Sequence, residues 1–321
     1  MSFKNIDAFV RERRPVWEAL AFELVGDRPL AKRPAAVISR VARLYREVCT
    51  DRMRAERLGL NPSALHYVDA LVSRAHAALY DARPEPLSNW RSFVIREFPR
   101  ALRKNGALFG IACFLFFVPF ALTLSQTLLN PEAAARILPI ETLEQMAEAY
   151  SKEPSGRTGG EGATMAGFYV YNNVGIAFRC FATGILFGLG TAFFLVYNGA
   201  ITGAITGHVI QTGGGINILT FIAGHAPLEL TAIVISGAAG LEMGRALLVT
   251  HGRTRLGSLW HQRHGILAQV VGAALMLLAA AAVEGFWSPS SAPARVKWGV
   301  GIGLMTLVVL HLGFAGRRKV R

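Results

Sequence analysis

The stretch Gly106–Leu129, GALFGIACFLFFVPFALTLSQTLL, carries no charged side chain over 24 residues. At about 1.5 Å per helical residue it is long enough to cross roughly 30 Å of hydrocarbon, so it reads as a membrane-spanning helix. Charge and apolar content part company around it. Residues 1–105 hold 20 of the 34 Lys and Arg and 12 of the 21 Asp and Glu, leaving 14 and 9 for residues 106–321. With 52% hydrophobic side chains over 321 residues, the chain has more apolar surface than a soluble core of this size fills. The expected fold is all-α, a polytopic membrane bundle of about six transmembrane helices over 106–321 behind an N-terminal cytoplasmic helical region over 1–105.

Further spans are expected near 174–197, 200–223, 228–249, 266–284 and 296–316. The third is interrupted by Thr212-Gly213-Gly214-Gly215, a poor helix former, which predicts a broken or re-entrant segment facing protein or water rather than lipid. Between the first two spans, residues 130–173 set Glu132, Glu141, Glu144, Glu148, Glu153 and Glu161 against Arg136, Lys152 and Arg157, and read as an acidic extracytoplasmic loop. Arg253, Arg255 and Arg263 fall between spans four and five, and Arg317, Arg318, Lys319 and Arg321 follow span six. By the positive-inside rule both termini are cytoplasmic, in the inner (plasma) membrane.

Within 1–105, apolar residues recur at helical spacing three times: Ile6, Phe9, Val10, Trp17, Leu20 and Leu24; Ile38, Val41, Leu44, Tyr45 and Val48; Leu65, Val68, Leu71, Val72, Ala75 and Leu79. Three amphipathic helices follow, the third starting at Asn61-Pro62. Residues 88–104 place Trp90, Phe93, Val94 and Phe98 among Arg91, Arg96, Arg100, Arg103 and Lys104. That pattern suits an interfacial helix on an anionic leaflet and equally a fourth helix of the soluble bundle.

The net charge of +13 is that of cationic segments beside membrane spans, and nucleic acid is not an expected partner. Cys49, Cys113 and Cys180 lack disulfide or zinc spacing. No phosphate loop, HExxH, GxSxG or full GxGxxG motif occurs, so neither an enzyme nor a cofactor is expected. Small residues spaced by four recur at Gly184 and Gly188, at Gly199, Gly203 and Gly207, at Ser236, Gly240 and Gly244, and at Gly299 and Gly303, marking close helix approach or self-association.

Arg179, His208, His225, Glu229, Glu242, Arg245 and Glu284 lie in or beside the spans, where a charge costs about 2.5–3.5 kcal/mol even on insertion scales. Glu242 and Arg245 are one turn apart, as in an internal ion pair or a headgroup contact. In His225-Ala226-Pro227-Leu228-Glu229, Pro227 can start a helix and the i, i+4 spacing puts His225 and Glu229 on one face. Two readings fit: a proton-titratable or substrate-facing pair at the outer mouth of the bundle, or a buried hydrogen-bonded brace. As a metal site the motif supplies two ligands where catalytic zinc takes three, and His251, His261 and His264 sit in the predicted inner loop. No metal is expected.

Taken in order, Leu44-Tyr45-Arg46, Leu71-Val72-Ser73-Arg74-Ala75-His76, Tyr80, Phe98-Pro99-Arg100, Asn172-Asn173, Tyr197-Asn198-Gly199, His225 through Glu229, Glu284-Gly285-Phe286 and Ser288-Pro289-Ser290 resemble the motifs of the stage II sporulation protein M family. The resemblance implies an integral inner-membrane scaffold or recruiter linked to cell-envelope or peptidoglycan remodelling. In spore formers the sporulation member works with peptidoglycan-degrading partners during engulfment. Elsewhere such proteins are often encoded beside AAA-type ATPases and von Willebrand A-type proteins, and the long basic N-terminal region suits that broader, non-sporulation branch. The partners implied are membrane lipids, an envelope-remodelling or AAA-type ATPase system, and a second copy of the chain. The candidate polar positions are His225, Glu229, Arg179, Asn172, Asn173, Asn198, His208 and Glu284. An alternative function is a small-molecule or ion permease using the broken third span with His225 and Glu229.

Overall fold

A computed structural model describes residues 3–25, 30, 33–80, 90–152, 156 and 158–317. Ser88, Glu153, Arg157, Arg318, Lys319 and Arg321, which enter the expectations above, lie outside them. No strand occurs among the described residues, and the chain divides into two compact units, Met1–Ser88 and Asn89–Arg321. The boundary falls before the expected 105, because residues 90–104 pack into the second unit.

In the first unit, helices α1 (Phe3–Leu24), α2 (Ala35–Leu58) and α3 (Pro62–Tyr80) pack pairwise around Trp17, Leu20, Val41, Leu44, Val48, Val68 and Leu71. The apolar positions read from the sequence are the ones that meet. At the start of α3 the Asn61 side chain accepts the Ala64 N–H at 2.7 Å, the expected cap. The α1–α2 contact has a polar centre: Asp51, 1% exposed, accepts from Arg13 Nε at 2.8 Å and from the buried Trp17 indole N–H at 2.9 Å.

The second unit begins with α4 (Trp90–Ser92), a π-helical turn (Phe93–Glu97) and α5 (Phe98–Lys104). This segment packs on the bundle and not in the three-helix unit. Phe98 is buried in the bundle core against Gly272, leaving no room there for a Cβ. Arg100 donates to the Gly316 carbonyl, and Arg103 donates to the carbonyls of Leu312 and Ala315. These carbonyls close the last turn of a helix, where a guanidinium is favoured by the helix dipole.

Helix α6 (Gly106–Leu129) is the uncharged stretch. After it come a 3₁₀ turn (Pro131–Arg136) and α7 (Ile140–Ala149), so the acidic loop carries structure of its own. Helix resumes at Gly159, within the loop expected over 130–173. There Thr158 and Glu161 form a reciprocal capping box that starts α8 (Gly159–Ala182), and the T-x-x-E spacing that signals it is plain in the sequence. The next reversal is at 183–188 rather than near 198. Phe187 and Gly188 take left-handed backbone there (φ 55° and 85°). Asn198, a candidate polar position, donates to the Phe194 carbonyl at 2.6 Å inside α9 (Leu189–Val209).

Three of the small-residue ridges are contact seams. Gly199, Gly203 and Gly207 lie on the Phe116, Phe120 and Leu124 carbonyls of α6, so α6 and α9 run parallel with backbones touching. Gly184 meets Gly240, and Gly244 meets Gly188. Gly299 and Gly303 have nothing within 4 Å, and it is Gly301 that lies on a neighbour, the Ala223 carbonyl.

The expected break in the third span is a π-helical turn, Ile210–Gly214, with Gly213 at φ 91°. Beyond it α10 (Gly215–Ala223) turns back into the bundle. Its start lies by the Tyr150 carbonyl, while Thr220 pairs with Trp298 and Ala223 with Gly301, so it descends alongside α13 (Ala294–Phe314). Helix α11 (Ala226–Leu248) continues inward and is the most enclosed span. Helix α12 (Arg255–Ala282) returns to a second π-helical turn, Val283–Trp287. By length and composition five helical stretches among the described residues can cross a membrane, where about six were expected. They are Gly106–Leu129, Leu189–Ala223, Ala226–Leu248, Arg255–Trp287 and Ala294–Phe314. The difference is α8. It runs from Gly162 against Gly285 at one end of the bundle to Cys180 against Gly240, but it falls short of the others in apolar character.

Candidate functional site

Two local irregularities converge at the acidic-loop end of the bundle. At the first, Gly224-His225 interrupts α10 and α11, and Pro227 sits in the first turn of α11, where a missing N–H costs nothing. That places His225 at the N-cap and Glu229 one turn on. At the second, the π-helical turn at the end of α12 carries Glu284. Such turns insert a residue into a helix and re-aim its side chains, and they are frequent at functional sites.

The result is a His-Glu-Glu cluster. His225 is 4% exposed, and its Nε2 stands 3.9 Å from a carboxylate oxygen of Glu229 and 3.9 Å from one of Glu284. One potential ligand atom from each residue lies within 4.8 Å of the others. The ring is oriented from behind, where His225 Nδ1 lies 2.9 Å from the hydroxyl of buried Ser288. The Ser288 carbonyl in turn accepts from Lys297 Nζ at 2.7 Å, as does the Ser290 carbonyl. Lys297 also lines a cavity of about 290 Å³ with Asn217, Thr220, Ser290 and Ser291.

The i, i+4 spacing thus places His225 and Glu229 together as expected, and Glu284 joins them from 55 positions further along. Sequence reasoning missed Ser288 and Lys297; the only trace of them was the Ser288-Pro289-Ser290 motif ahead of α13. The other candidates lie apart in their bonding. Arg179 donates to the Gly175 carbonyl of its own helix, and the His208 carbonyl accepts from Thr212. Exposed Asn172 donates to buried Asn173. Near the opposite end, Glu242 accepts from Gln269 at 2.6 Å and Arg245 donates to Asn105 at 2.8 Å, so each has a neutral partner on another element.

Apolar helices of spanning length, backbones in contact along glycine seams, and a buried polar cluster at a helix break define a multi-pass helical membrane protein. The chain belongs to the Stage II sporulation protein M (SpoIIM) family, which it matches over residues 106–289, more than half its length. Residues 7–81 match a domain of unknown function (DUF8413), which coincides with the three-helix unit. No curated protein and no solved structure matches the chain. The family match includes His225, Glu229, Glu284 and Ser288, and ends before Lys297.

Proposed function

We propose that the chain is a non-enzymatic scaffold of the inner membrane, whose N-terminal three-helix unit recruits a protein partner in the cytoplasm and whose bundle holds that partner at the cell envelope. The observation that carries this reading is the outer face of α2. Arg43, Arg46, Arg54 and Arg57 are all exposed at helical spacing, on a unit that has its own core. Beside Arg46, three residues of the stretch matched as a domain of unknown function converge into an aromatic cluster. Tyr45 and His76 are hydrogen-bonded at 3.1 Å, and Tyr80 lies across both rings. Arginine next to aromatic side chains is the composition of a protein-binding surface, and its charge calls for an acidic partner. Peptidoglycan-remodelling machinery or an AAA-type ATPase system is the kind of assembly that such a scaffold would serve.

The test is crosslinking in native membranes followed by purification of the full chain. Replacing Arg43, Arg46, Arg54 and Arg57 with Glu leaves the core untouched and should remove the crosslinked partner. An unchanged set of partners would overturn the reading. In the same membranes, single cysteines at Glu144 and Ser291 should label from outside and one at Arg253 should not, placing the N-terminal unit in the cytoplasm.

A second reading, a permease, is favoured by one feature, the buried His225–Glu229–Glu284 cluster at a broken helix. It requires that reconstituted protein carry a solute or proton flux that Glu229→Gln alters.

A further inference from the structure

The His225 cluster poses a charge problem. Two carboxylates with oxygens inside 4.8 Å of one another and of an imidazole lie in a membrane-embedded bundle, where uncompensated charge is expensive. Hydrogen bonding within the cluster does not satisfy the Glu229 carboxylate. The two His225–carboxylate separations of 3.9 Å exceed hydrogen-bond length, and Glu229 Oε2 is buried with no hydrogen-bond partner. Lys297 is turned away, onto the carbonyls of Ser288 and Ser290.

We propose that His225 Nε2, Glu229 and Glu284 bind one divalent transition-metal cation of the zinc class. A doubly charged cation neutralises both carboxylates, and a mixed nitrogen and oxygen donor set suits it. Donors about 2.0–2.2 Å from a zinc ion in tetrahedral array lie roughly 3.4 Å apart, so the two 3.9 Å separations close by about half an ångström, and the two carboxylate oxygens, within 4.8 Å of each other, by side-chain rotation of at most about 1.4 Å. The backing of the histidine fits too. A ligating imidazole has its other ring nitrogen hydrogen-bonded, which fixes the tautomer, and Ser288 occupies that position at 2.9 Å. Three protein ligands leave the fourth coordination position for water or a solute. The cation would join the break before α11 to the end of α12. The site stands independently of the scaffold reading, since it uses no residue of the N-terminal unit.

Full-length protein in detergent, stripped with chelator and dialysed against Zn²⁺, should retain about one ion per chain by elemental analysis, as a complete three-ligand site requires. Glu229→Gln and Glu284→Gln, near-isosteric changes, should each weaken binding at least tenfold. Ser288→Ala should weaken it about tenfold through loss of the outer hydrogen bond. Glu242→Gln, a buried glutamate away from the cluster, should leave it unchanged. Co²⁺ should give visible absorption bands with the wild type that both Gln variants lose. Wild-type protein that retains no Zn²⁺ above buffer level would overturn the proposal without reference to any variant. So would Zn²⁺ retained equally by the wild type and both Gln variants.

Discussion

Gly203→Leu should abolish the close α6–α9 seam and, with it, recovery of the protein as a monodisperse species in detergent. A Cβ at Gly203 runs into the Phe120 carbonyl and the Thr123 hydroxyl, and that hydroxyl is already committed to the Ala200 carbonyl at 2.9 Å. The obstacle is backbone, which has no rotamer to offer. Overpacking a well-filled core costs about 1–3 kcal/mol, occasionally more, and an isobutyl group here forces the helices apart along the whole seam. Gly299→Leu is the matched control. Its position has nothing within 4 Å, so the melting temperature should stay close to that of wild type. Thermal unfolding followed by size exclusion reads both variants, and equal melting of the two would refute the account of the seam.

Asp51→Ala should destabilise the N-terminal unit by about 2–4 kcal/mol, a large part of what a small domain has to spare. The loss is not that of one surface ion pair. Asp51 is the acceptor for a buried indole N–H, which would lose its partner, and for a guanidinium whose side chain is only 21% exposed, which would keep only the longer 3.5 Å contact to Glu47. Asp51→Asn keeps an acceptor for Trp17 and should cost less. Hydrogen exchange over residues 3–80 of the full chain measures the difference, and protection in Asp51→Ala equal to wild type would count against it. Because the two units have separate cores, exchange in α6–α13 should not respond.

What was legible in the sequence follows the strength of the physical signal. Gly106–Leu129 had no competing reading, and Thr212-Gly213-Gly214-Gly215 announced a break that the backbone makes at Gly213. The expected reversal near 198 fell at Asn198-Gly199, a pair that punctuates soluble chains. Inside an apolar helix the same pair serves differently: Asn198 bonds to its own helix, and Gly199 admits α6. The true reversal rests on Phe187 at φ 55°, a position that no propensity favours. His225 and Glu229 were found by spacing. Glu284 was recognised only as a costly intramembrane charge, since nothing local tells that a π-helical turn aims it at a residue 59 positions earlier. Ser288 and Lys297 belong to a network assembled by the tertiary fold, and single-residue chemistry does not announce them.

The grip of Arg100 and Arg103 on the carbonyls of Leu312, Ala315 and Gly316 has a mechanical consequence. The helix that enters the bundle is stapled to the end of the last one, so the membrane unit is a closed loop of chain. Tension on the chain ahead of Trp90 would load these arginine–carbonyl bonds before it reached α6.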